Sequence, residues 1–472
     1  MDVIVAGGTV VTASETYQAD LGIVDGRIAT IASRLPVEPA CLVIDARGKY
    51  VFPGGIDPHT HLDSPSQGTQ TADDFRTGTI AAACGGTTSI VDFCFPDRGQ
   101  NLVDGLEAWH RRARAKAVID YAFHVAILDD ADAIADQIPS LLESGVSTIK
   151  LFLAYRGGVM VSDRTLYRAL QWSARVGALT LVHAENGDAI ALREQNLLAA
   201  GKTAPRFHAE ARPPRVEAEA TARACALAEL AGAPIYIVHV SCAEALEEIE
   251  RARQRGVQVW AETCPQYLYC SVDDLARPDF EGAKYVCSPA LRERWQQDAL
   301  WRALDTGVIQ AVGSDHSAFN FVGSAGKERG REEFTRIPNG VPGIEERLVL
   351  MYQGVLNGKI TLNRFVELVS TMPARIMGLS PRKGSIAVGS DADLVVWDPD
   401  VEWTLSSKTL HHRVDYTLYE GMRVRGAPDT VLLRGKTIVS RRDPKNGFGR
   451  GQFLPREPFS RGFGDKGSGS AR

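Results

Sequence analysis

The chain lacks the features that mark several large classes of protein. It has no excess of basic side chains, because Lys and Arg number 53 among its 472 residues, against 58 for Asp and Glu. A net charge of −5 does not favour binding to nucleic acid or to an anionic membrane surface. No apolar run is long enough to span a bilayer. We therefore expect neither nucleic-acid nor membrane partners.

Cysteine is also scarce. The eight cysteines include no C-x-x-C pair, and their density is too low for a disulfide framework. The first residues, 1–8, have neither a basic start nor a long apolar stretch, so they predict no secretory signal. Together these observations predict a cytoplasmic protein with reduced thiols.

The pattern of apolar residues divides the chain into two kinds of segment. Near both ends, short strand-like runs are separated by turn residues. Between them, apolar runs alternate with amphipathic stretches, which predicts eight strands at 51–61, 87–93, 121–127, 148–153, 179–183, 235–240, 257–262 and 308–314. We predict a small β-sandwich domain formed by both termini (residues 1–52 and 383–455), a catalytic barrel (53–382) and a flexible C-terminal tail (456–472).

Eight strands that alternate with helices predict an α/β fold, a (β/α)8 TIM-like barrel. An open doubly wound sheet is the alternative. It would place a glycine-rich phosphate turn after its first strand, whereas this chain has Pro58-His-Thr-His61 there. One helix is well signalled, because Ser241 and Glu244 fit a capping box and Gly256 follows the last turn.

Titratable residues recur where the predicted barrel strands end, on the face where such barrels carry their active sites. They are His59, His61, Lys150, His183, His239 and Asp315. His59 and His61 point to the same side of a strand, and imidazole nitrogen is a ligand for zinc and similar ions. Lys150 lies among apolar residues, where its ammonium group needs a partner such as Asp315. This convergence predicts a metal site.

Longer motifs around these residues resemble the dihydropyrimidinase and D-hydantoinase family of cyclic amidohydrolases, and the resemblance covers nearly the whole chain. The motifs with candidate ligands are Pro53-Gly-Gly-Ile-Asp-Pro-His-Thr-His-Leu, Lys150-Leu-Phe-Leu-Ala-Tyr155, His183-Ala-Glu-Asn-Gly-Asp188, Tyr236-Ile-Val-His-Val-Ser241 and Ser314-Asp-His316. Three further motifs are Ser288-Pro-Ala-Leu-Arg292, Ile337-Pro-Asn-Gly-Val-Pro-Gly-Ile-Glu345 and Gly449-Arg-Gly-Gln-Phe-Leu-Pro455.

The resemblance implies a metal-dependent barrel, usually assembled as a homotetramer, although a dimer is also possible. It implies two Zn²⁺ ions per subunit, or other divalent metals, bridged by Lys150 carboxylated to an N6-carboxylysine. His59, His61 and Asp315 would hold one ion, and His183 and His239 would hold the other. A carbamate suits this bridging position because it is anionic, whereas an ammonium group is not.

The resemblance also implies the reaction, which is hydrolysis of a ring amide or imide C–N bond of 5,6-dihydropyrimidines or hydantoins to N-carbamoyl amino acids. In this family Asp315 corresponds to the residue that transfers the proton, and Tyr155 to the residue that donates to the developing oxyanion. Tyr155, Ser288 and Asn339 correspond to residues that hold the cyclic amide. Allantoin or another cyclic imide is an alternative substrate.

One loop departs from the family pattern. After Asp63 the chain reads Ser64-Pro-Ser-Gln-Gly-Thr-Gln70, where hydantoinases usually have a bulky apolar residue, Pro and Phe. Because this loop shapes the pocket for the ring substituent in the family, small or polar cyclic amides are expected to be favoured. Asp63 also stands where dihydroorotases have an arginine, which disfavours dihydroorotate. Some relatives in the family are non-enzymatic scaffold proteins that have lost the metal ligands. This is a minor alternative here, because every ligand position is filled.

Overall fold

The computed structural model describes residues 1–37, 39–129, 134–445 and 451–459. Its strands are β1 (Val3–Val11), β2 (Thr16–Val24), β3 (Arg27–Ala32), β4 (Leu42–Asp45), β5 (Tyr50–Pro53), β6 (Gly55–Thr60), β7 (Pro65–Ser66), β8 (Thr69–Gln70), β9 (Thr87–Cys94), β10 (Asp120–Ala126), β11 (Thr148–Phe152), β12 (Leu179–His183), β13 (Ile235–Ile237), β14 (Val259–Thr263), β15 (Ala311–Val312), β16 (Leu394–Thr404), β17 (Arg423–Leu433), β18 (Lys436–Ser440) and β19 (Asp443–Pro444).

The helices follow the barrel strands or fill the loops after them. They are α1 (Phe75–Cys84), α2 (Leu102–Arg114), α3 (Ile138–Glu143), α4 (Asp163–Val176), α5 (Gly187–Ala199), α6 (Phe207–Ala211), α7 (Pro214–Ala231), α8 (Ala243–Gln254), α9 (Pro265–Tyr269), α10 (Trp295–Thr306), α11 (Arg347–Leu356), α12 (Leu362–Val366) and α13 (Met372–Ile376). None of the helices in the described ranges combines the length and apolar character that crossing a bilayer requires.

Eight parallel strands form the barrel, in the order β6, β9, β10, β11, β12, β13, β14 and β15. The ring closes where Thr60 bridges His316 and where the Asp315 backbone N–H donates to the His59 carbonyl, with an N···O distance of 3.0 Å. This confirms the predicted (β/α)8 fold and excludes the open doubly wound sheet. Closure brings the end of the first barrel strand beside the end of the last.

The predicted strand 51–61 is two strands rather than one. β5 pairs with β1 and β16 in the sheet built from both termini, whereas β6 belongs to the barrel. Gly54 separates them, and a Cβ there would lie 2.1 Å from the Thr88 hydroxyl oxygen. A glycine is therefore required where the chain passes from one sheet to the other.

The sheet built from both termini has nine strands, in the order β19, β18, β17, β16, β5, β1, β2 and β3, with β4 pairing with β1. Alternate residues of β16 pack on opposite faces. Leu394 and Val396 contact the core of this small domain, whereas Val395 and Trp397 contact the larger core that continues into the barrel. The domain boundaries stay a prediction, and residues 460–472 of the predicted tail lie outside the described ranges.

The predicted helix after Ser241 forms as α8, with Leu246 and Ile249 buried, but the predicted capping box is wrong. Cys242 is the N-cap residue and makes no side-chain cap. The Ser241 hydroxyl instead donates to the buried Glu217 carboxylate. The helix begins one residue later than the pattern predicts, and the Ser241 oxygen accepts a hydrogen bond of 2.9 Å from Nε of Arg292 instead of one from a backbone N–H of the first turn.

All eight cysteines are free thiols, and seven of them are buried. This agrees with the prediction that they do not form a disulfide framework. Burial raises the pKa of Cys264 and Cys270, which flank α9, well above the usual value. They therefore stay protonated and apolar in character.

Candidate metal centre

The barrel strands aim side chains inward at every second position. In β12, Leu179 and Leu181 pack in the barrel interior, whereas Val182 faces outward. His183 continues the inward series and ends the strand. The alternation along β12 therefore directs His183 to the same side as the apolar residues of the barrel interior, at the carboxyl end of the strand.

His59, His61 and Asp315 form the tightest group of possible metal ligands in the described part of the chain, with one ligand atom from each within 4.8 Å of the others. One Asp315 carboxylate oxygen lies 3.2 Å from Nε2 of His59 and 3.3 Å from Nε2 of His61. The two histidines therefore do point the same way. Burial tends to raise the pKa of Asp315, but His59 and His61 hold it well below its usual value.

His183 and His239 form a second pair beside this group. Nδ1 of His183 lies 2.9 Å from Nε2 of His239, and the His59 and His239 ring centres are 5.4 Å apart. Burial lowers the pKa of both His183 and His239, so their rings are neutral and each ring keeps one nitrogen lone pair that can bind a cation. The Nδ1 atom of His239 is buried without a hydrogen-bond partner.

Lys150 lies between the two groups of histidines. Its side chain is buried, and its Nζ lies 4.8 Å and 5.0 Å from the ring centres of Phe93 and Phe152. Among the described residues it forms neither an ion pair nor a hydrogen bond, so the possible ion pair with Asp315 does not form. Burial lowers the pKa of Lys150 to about 7, which leaves part of the amine neutral and nucleophilic near neutral pH.

These residues fit a divalent metal centre by the chemistry of their donors. Imidazole nitrogens together with a carboxylate form a common zinc-binding set. Nδ1 of His239 is a buried polar atom without a hydrogen-bond partner, and the amine of Lys150 contacts aromatic rings rather than an acceptor. The structure thus brings together all six predicted ligands at one mouth.

Two carboxylates that the sequence analysis missed hold the histidines in place. Glu262, at the end of β14, contacts Nδ1 of His59 and accepts a hydrogen bond of 2.9 Å from Tyr236. Glu185, two residues beyond β12, lies 2.8 Å from Nε2 of His183. Such carboxylates orient ligand imidazoles and raise their basicity. Both residues end or follow an apolar strand, the same signal that pointed to the histidines.

Tyr155 lies beside His183, with ring centres 5.1 Å apart, and has a backbone φ of 67°. Burial raises the pKa of its phenol, although Arg212 and a hydrogen bond with Ser288 oppose that rise. Its hydroxyl therefore stays protonated and is available as a donor. Arg212, which no sequence pattern indicated, packs over the Tyr155 ring at 5.6 Å and donates to Glu185 at 3.0 Å.

Ser288 and Asn339 lie on separate loops near this mouth. Ser288 is buried, and its hydroxyl lies 3.4 Å from the His208 ring. Asn339 is half-buried, and its backbone makes two hydrogen bonds with the side chain of Gln67. The loop that departs from the family pattern therefore reaches one of the residues predicted to hold the substrate.

Comparisons with known proteins agree with this geometry. Residues 50–438 match the Amidohydrolase family. The chain is 52% identical over 459 residues to a D-hydantoinase of Ralstonia pickettii, which covers 97% of this chain and 100% of that protein. Identity at this level over almost the full length shows common descent and a common fold.

Solved structures give the same result. A dihydropyrimidinase from Brevibacillus agri superposes with a TM-score of 0.96 at 50% identity, over 98% of this chain and 100% of that one. An L-hydantoinase from Arthrobacter aurescens gives a TM-score of 0.88 at 30% identity, over 96% and 100% of the two chains. The chain therefore belongs to the metal-dependent amidohydrolase family, in its dihydropyrimidinase and D-hydantoinase branch.

Proposed function

We propose that this cyclic amide hydrolase opens the rings of 5-substituted hydantoins and 5,6-dihydropyrimidines to N-carbamoyl amino acids, using two zinc ions. The observation that carries the proposal is the convergence of four histidines, Asp315 and an isolated lysine at the mouth of a barrel. The chain is also half identical to a D-hydantoinase over nearly its full length.

In this proposal His59, His61 and Asp315 hold one zinc ion, His183 and His239 hold the other, and carboxylated Lys150 is a ligand of both. When bound, zinc lowers the pKa of water towards about 7 and polarises a carbonyl group. Lys150 suits carboxylation because its amine is buried, forms no ion pair with a described residue and has a pKa that burial lowers to about 7, although Glu262 and Asp315 oppose that fall.

Asp315 and Tyr155 carry the proposed proton transfer and oxyanion stabilisation. His59 and His61 keep the Asp315 carboxylate ionised, so that it can accept a proton and deliver it to the leaving ring nitrogen. Tyr155 keeps its phenolic proton and donates it as a hydrogen bond to the carbonyl oxygen, where negative charge develops. Ser288 and Asn339 hold the ring amide by hydrogen bonds.

The relatives favour a preference for D-enantiomers. Identity to a D-hydantoinase is 52%, against 30% to an L-hydantoinase. The ring substituent is proposed to be small or polar, because Ser64 and Ser66 replace bulky apolar residues in the loop near the mouth. A cytoplasmic location and a homotetrameric or dimeric assembly remain part of the proposal.

The experiment is a hydrolysis screen over dihydrouracil, hydantoin, D- and L-5-substituted hydantoins, allantoin and phthalimide, with zinc content measured on the same protein. Ring opening of dihydrouracil, hydantoin and D-5-substituted hydantoins, with slower opening of the L-enantiomers and about two zinc ions per subunit, is expected. Hydrolysis of allantoin alone would instead assign the alternative substrate. A protein without bound metal and without hydrolysis of any compound would match the scaffold alternative and overturn the proposal.

A further inference from the structure

A small hairpin lies between the first barrel strand and α1 and contacts Asn339. It consists of β7 and β8, with Gln67 and Gly68 forming the turn between them at φ values of 51° and 71°. Two consecutive left-handed residues make the two-residue turn typical of tight hairpins. The turn is exposed, so the Gln67 side chain is free of tight packing and can move without disturbing the core.

The Gln67 carboxamide forms a reciprocal pair of hydrogen bonds with the Asn339 backbone. Its Nε2 donates to the Asn339 carbonyl at 3.0 Å, and the Asn339 N–H donates to its Oε1 at 2.8 Å. A primary carboxamide presents a donor and an acceptor on one edge. A ring amide presents the same edge, because the ring holds its N–H and C=O on one side.

We propose that Gln67 occupies the amide-binding edge of Asn339 and competes with the substrate, so that this residue sets the apparent affinity for cyclic amides. The inference rests on the proposed function, in which Asn339 holds the ring amide. For the substrate to bind there, the Gln67 side chain must withdraw. The Ser66 hydroxyl, 3.5 Å from Nε2 of Gln67, offers a nearby alternative acceptor.

The Asn339 edge is held from the opposite side by contacts that do not involve Gln67. The buried Lys327 ammonium group donates to the carbonyls of Pro338 and Val286, at 3.0 Å and 2.8 Å. The Gly340 N–H donates to the same Val286 carbonyl at 3.1 Å. Because these bonds fix both neighbours of Asn339, the edge keeps its shape when Gln67 leaves. Asn339 therefore does not need Gln67 to hold its backbone in place, which favours competition between Gln67 and the substrate as the role of this pair.

The hairpin also has anchors that do not reach Asn339. Thr69 donates to the Ala325 carbonyl at 2.7 Å, and Arg329 donates to the carbonyls of Gln67 and Gly68 at 3.2 Å and 3.1 Å. These bonds hold the hairpin backbone in place while the Gln67 side chain is free to exchange partners. Thr69→Val is consequently a matched control, because it removes one anchor and leaves the Asn339 edge unchanged.

The test is Gln67→Gly in the zinc-loaded enzyme with dihydrouracil as substrate. Glycine accepts the left-handed backbone at this position, so the turn is kept. If the paired state holds about four-fifths of the molecules, its removal lowers KM about fivefold with kcat changed less than about twofold. A KM that is unchanged or higher overturns the inference. An equal fall in KM in Thr69→Val also overturns it, because loosening the hairpin would then be the cause.

Hydrogen exchange measured by mass spectrometry gives a readout that does not depend on turnover. Without substrate, the peptide that contains Asn339 is expected to exchange faster in Gln67→Gly than in the wild type, because the Asn339 N–H loses its acceptor. Equal exchange in the two proteins overturns the inference. If the wild type hydrolyses no cyclic amide, the proposed function fails, whereas this comparison still decides whether Gln67 covers the Asn339 edge.

Discussion

Glu262 contacts Nδ1 of His59 inside the barrel, although the two residues are 203 positions apart in the chain. Burial alone would lower the pKa of His59, but Glu262 and Asp315 raise it to about 9. Without metal, the His59 ring therefore carries a proton that a cation must displace. Glu262 fixes the ring so that Nε2 faces Asp315 and His61.

Glu262→Gln is expected to lower zinc affinity by about 10- to 100-fold, the usual loss when a carboxylate behind a ligand histidine is removed. The reason is that the amide holds the imidazole less firmly and does not raise its basicity. Competition titration with a chelator measures the affinity. Tyr236→Phe removes the other partner of Glu262 and serves as the control. Unchanged zinc affinity in Glu262→Gln would contradict this role.

Lys150→Ala is expected to abolish zinc-dependent hydrolysis and to reduce bound metal to below two ions per subunit. The bridging carbamate cannot form without the amine. A short carboxylic acid added with zinc is expected to restore part of the activity by filling the vacated space. Metal analysis and the mass of the intact wild-type protein, which should contain one added CO₂, provide the measurement. Full activity in the unsupplemented variant would refute the bridge.

Tyr155→Phe is expected to lower kcat by roughly 10²–10³-fold, the usual loss for one oxyanion donor. Zinc content should stay unchanged, because Tyr155 is not one of the six proposed ligands. Steady-state kinetics with dihydrouracil measures the effect. If kcat is unaffected, Tyr155 is only an aromatic side chain at the rim of the mouth.

Ser66→Phe is expected to shift kcat/KM towards 5-phenylhydantoin, relative to dihydrouracil, by about tenfold or more. Apolar contact in a pocket of this kind discriminates by about 1–3 kcal/mol. Ser66 is half-buried in β7 and can present a larger side chain to the ring substituent. The ratio is compared between wild type and variant. A wild type that already prefers the aryl substrate, with a ratio the variant leaves unchanged, would show that this hairpin does not set specificity.

Lys383→Met is expected to lower the free energy of unfolding by about 3–5 kcal/mol, since it removes one partner from a buried ionic cluster. Lys383 Nζ lies 2.7 Å from Asp120 at the start of β10, and 2.6 Å and 3.0 Å from Asp393 and Asp391 beside the terminal sheet. Denaturant unfolding provides the measurement.

The control for this stability prediction is Arg382→Ala. The Arg382 side chain is 41% exposed and pairs with Asp391 at 2.8 Å, so its loss should cost less than about 1 kcal/mol. Equal effects of the two substitutions would mean that Lys383 does not join the barrel to the terminal sheet.

Much of the site could be predicted from the sequence, because the candidate histidines and Asp315 lie at or just beyond the ends of apolar strands, and Lys150 lies within an apolar strand. His183 continues the inward series of Leu179 and Leu181, and that alternation can be recognised within five residues. The (β/α)8 barrel followed from the alternation of strands and helices. The capping box at Ser241 was wrong because a local pattern does not show that Arg292, from a distant loop, donates to the same hydroxyl oxygen.

The sequence by itself determined the order of strands and helices, the fold class and the candidate ligands, since these depend on periodicity and on the residues at strand ends. Only the tertiary structure decided which carboxylate supports each histidine, that Lys150 forms no ion pair among the described residues, and that Gln67 pairs with Asn339. These contacts join residues on different strands and loops. Their distances are set by closure of the barrel and by the lengths of its loops, which a local pattern of residue types does not contain.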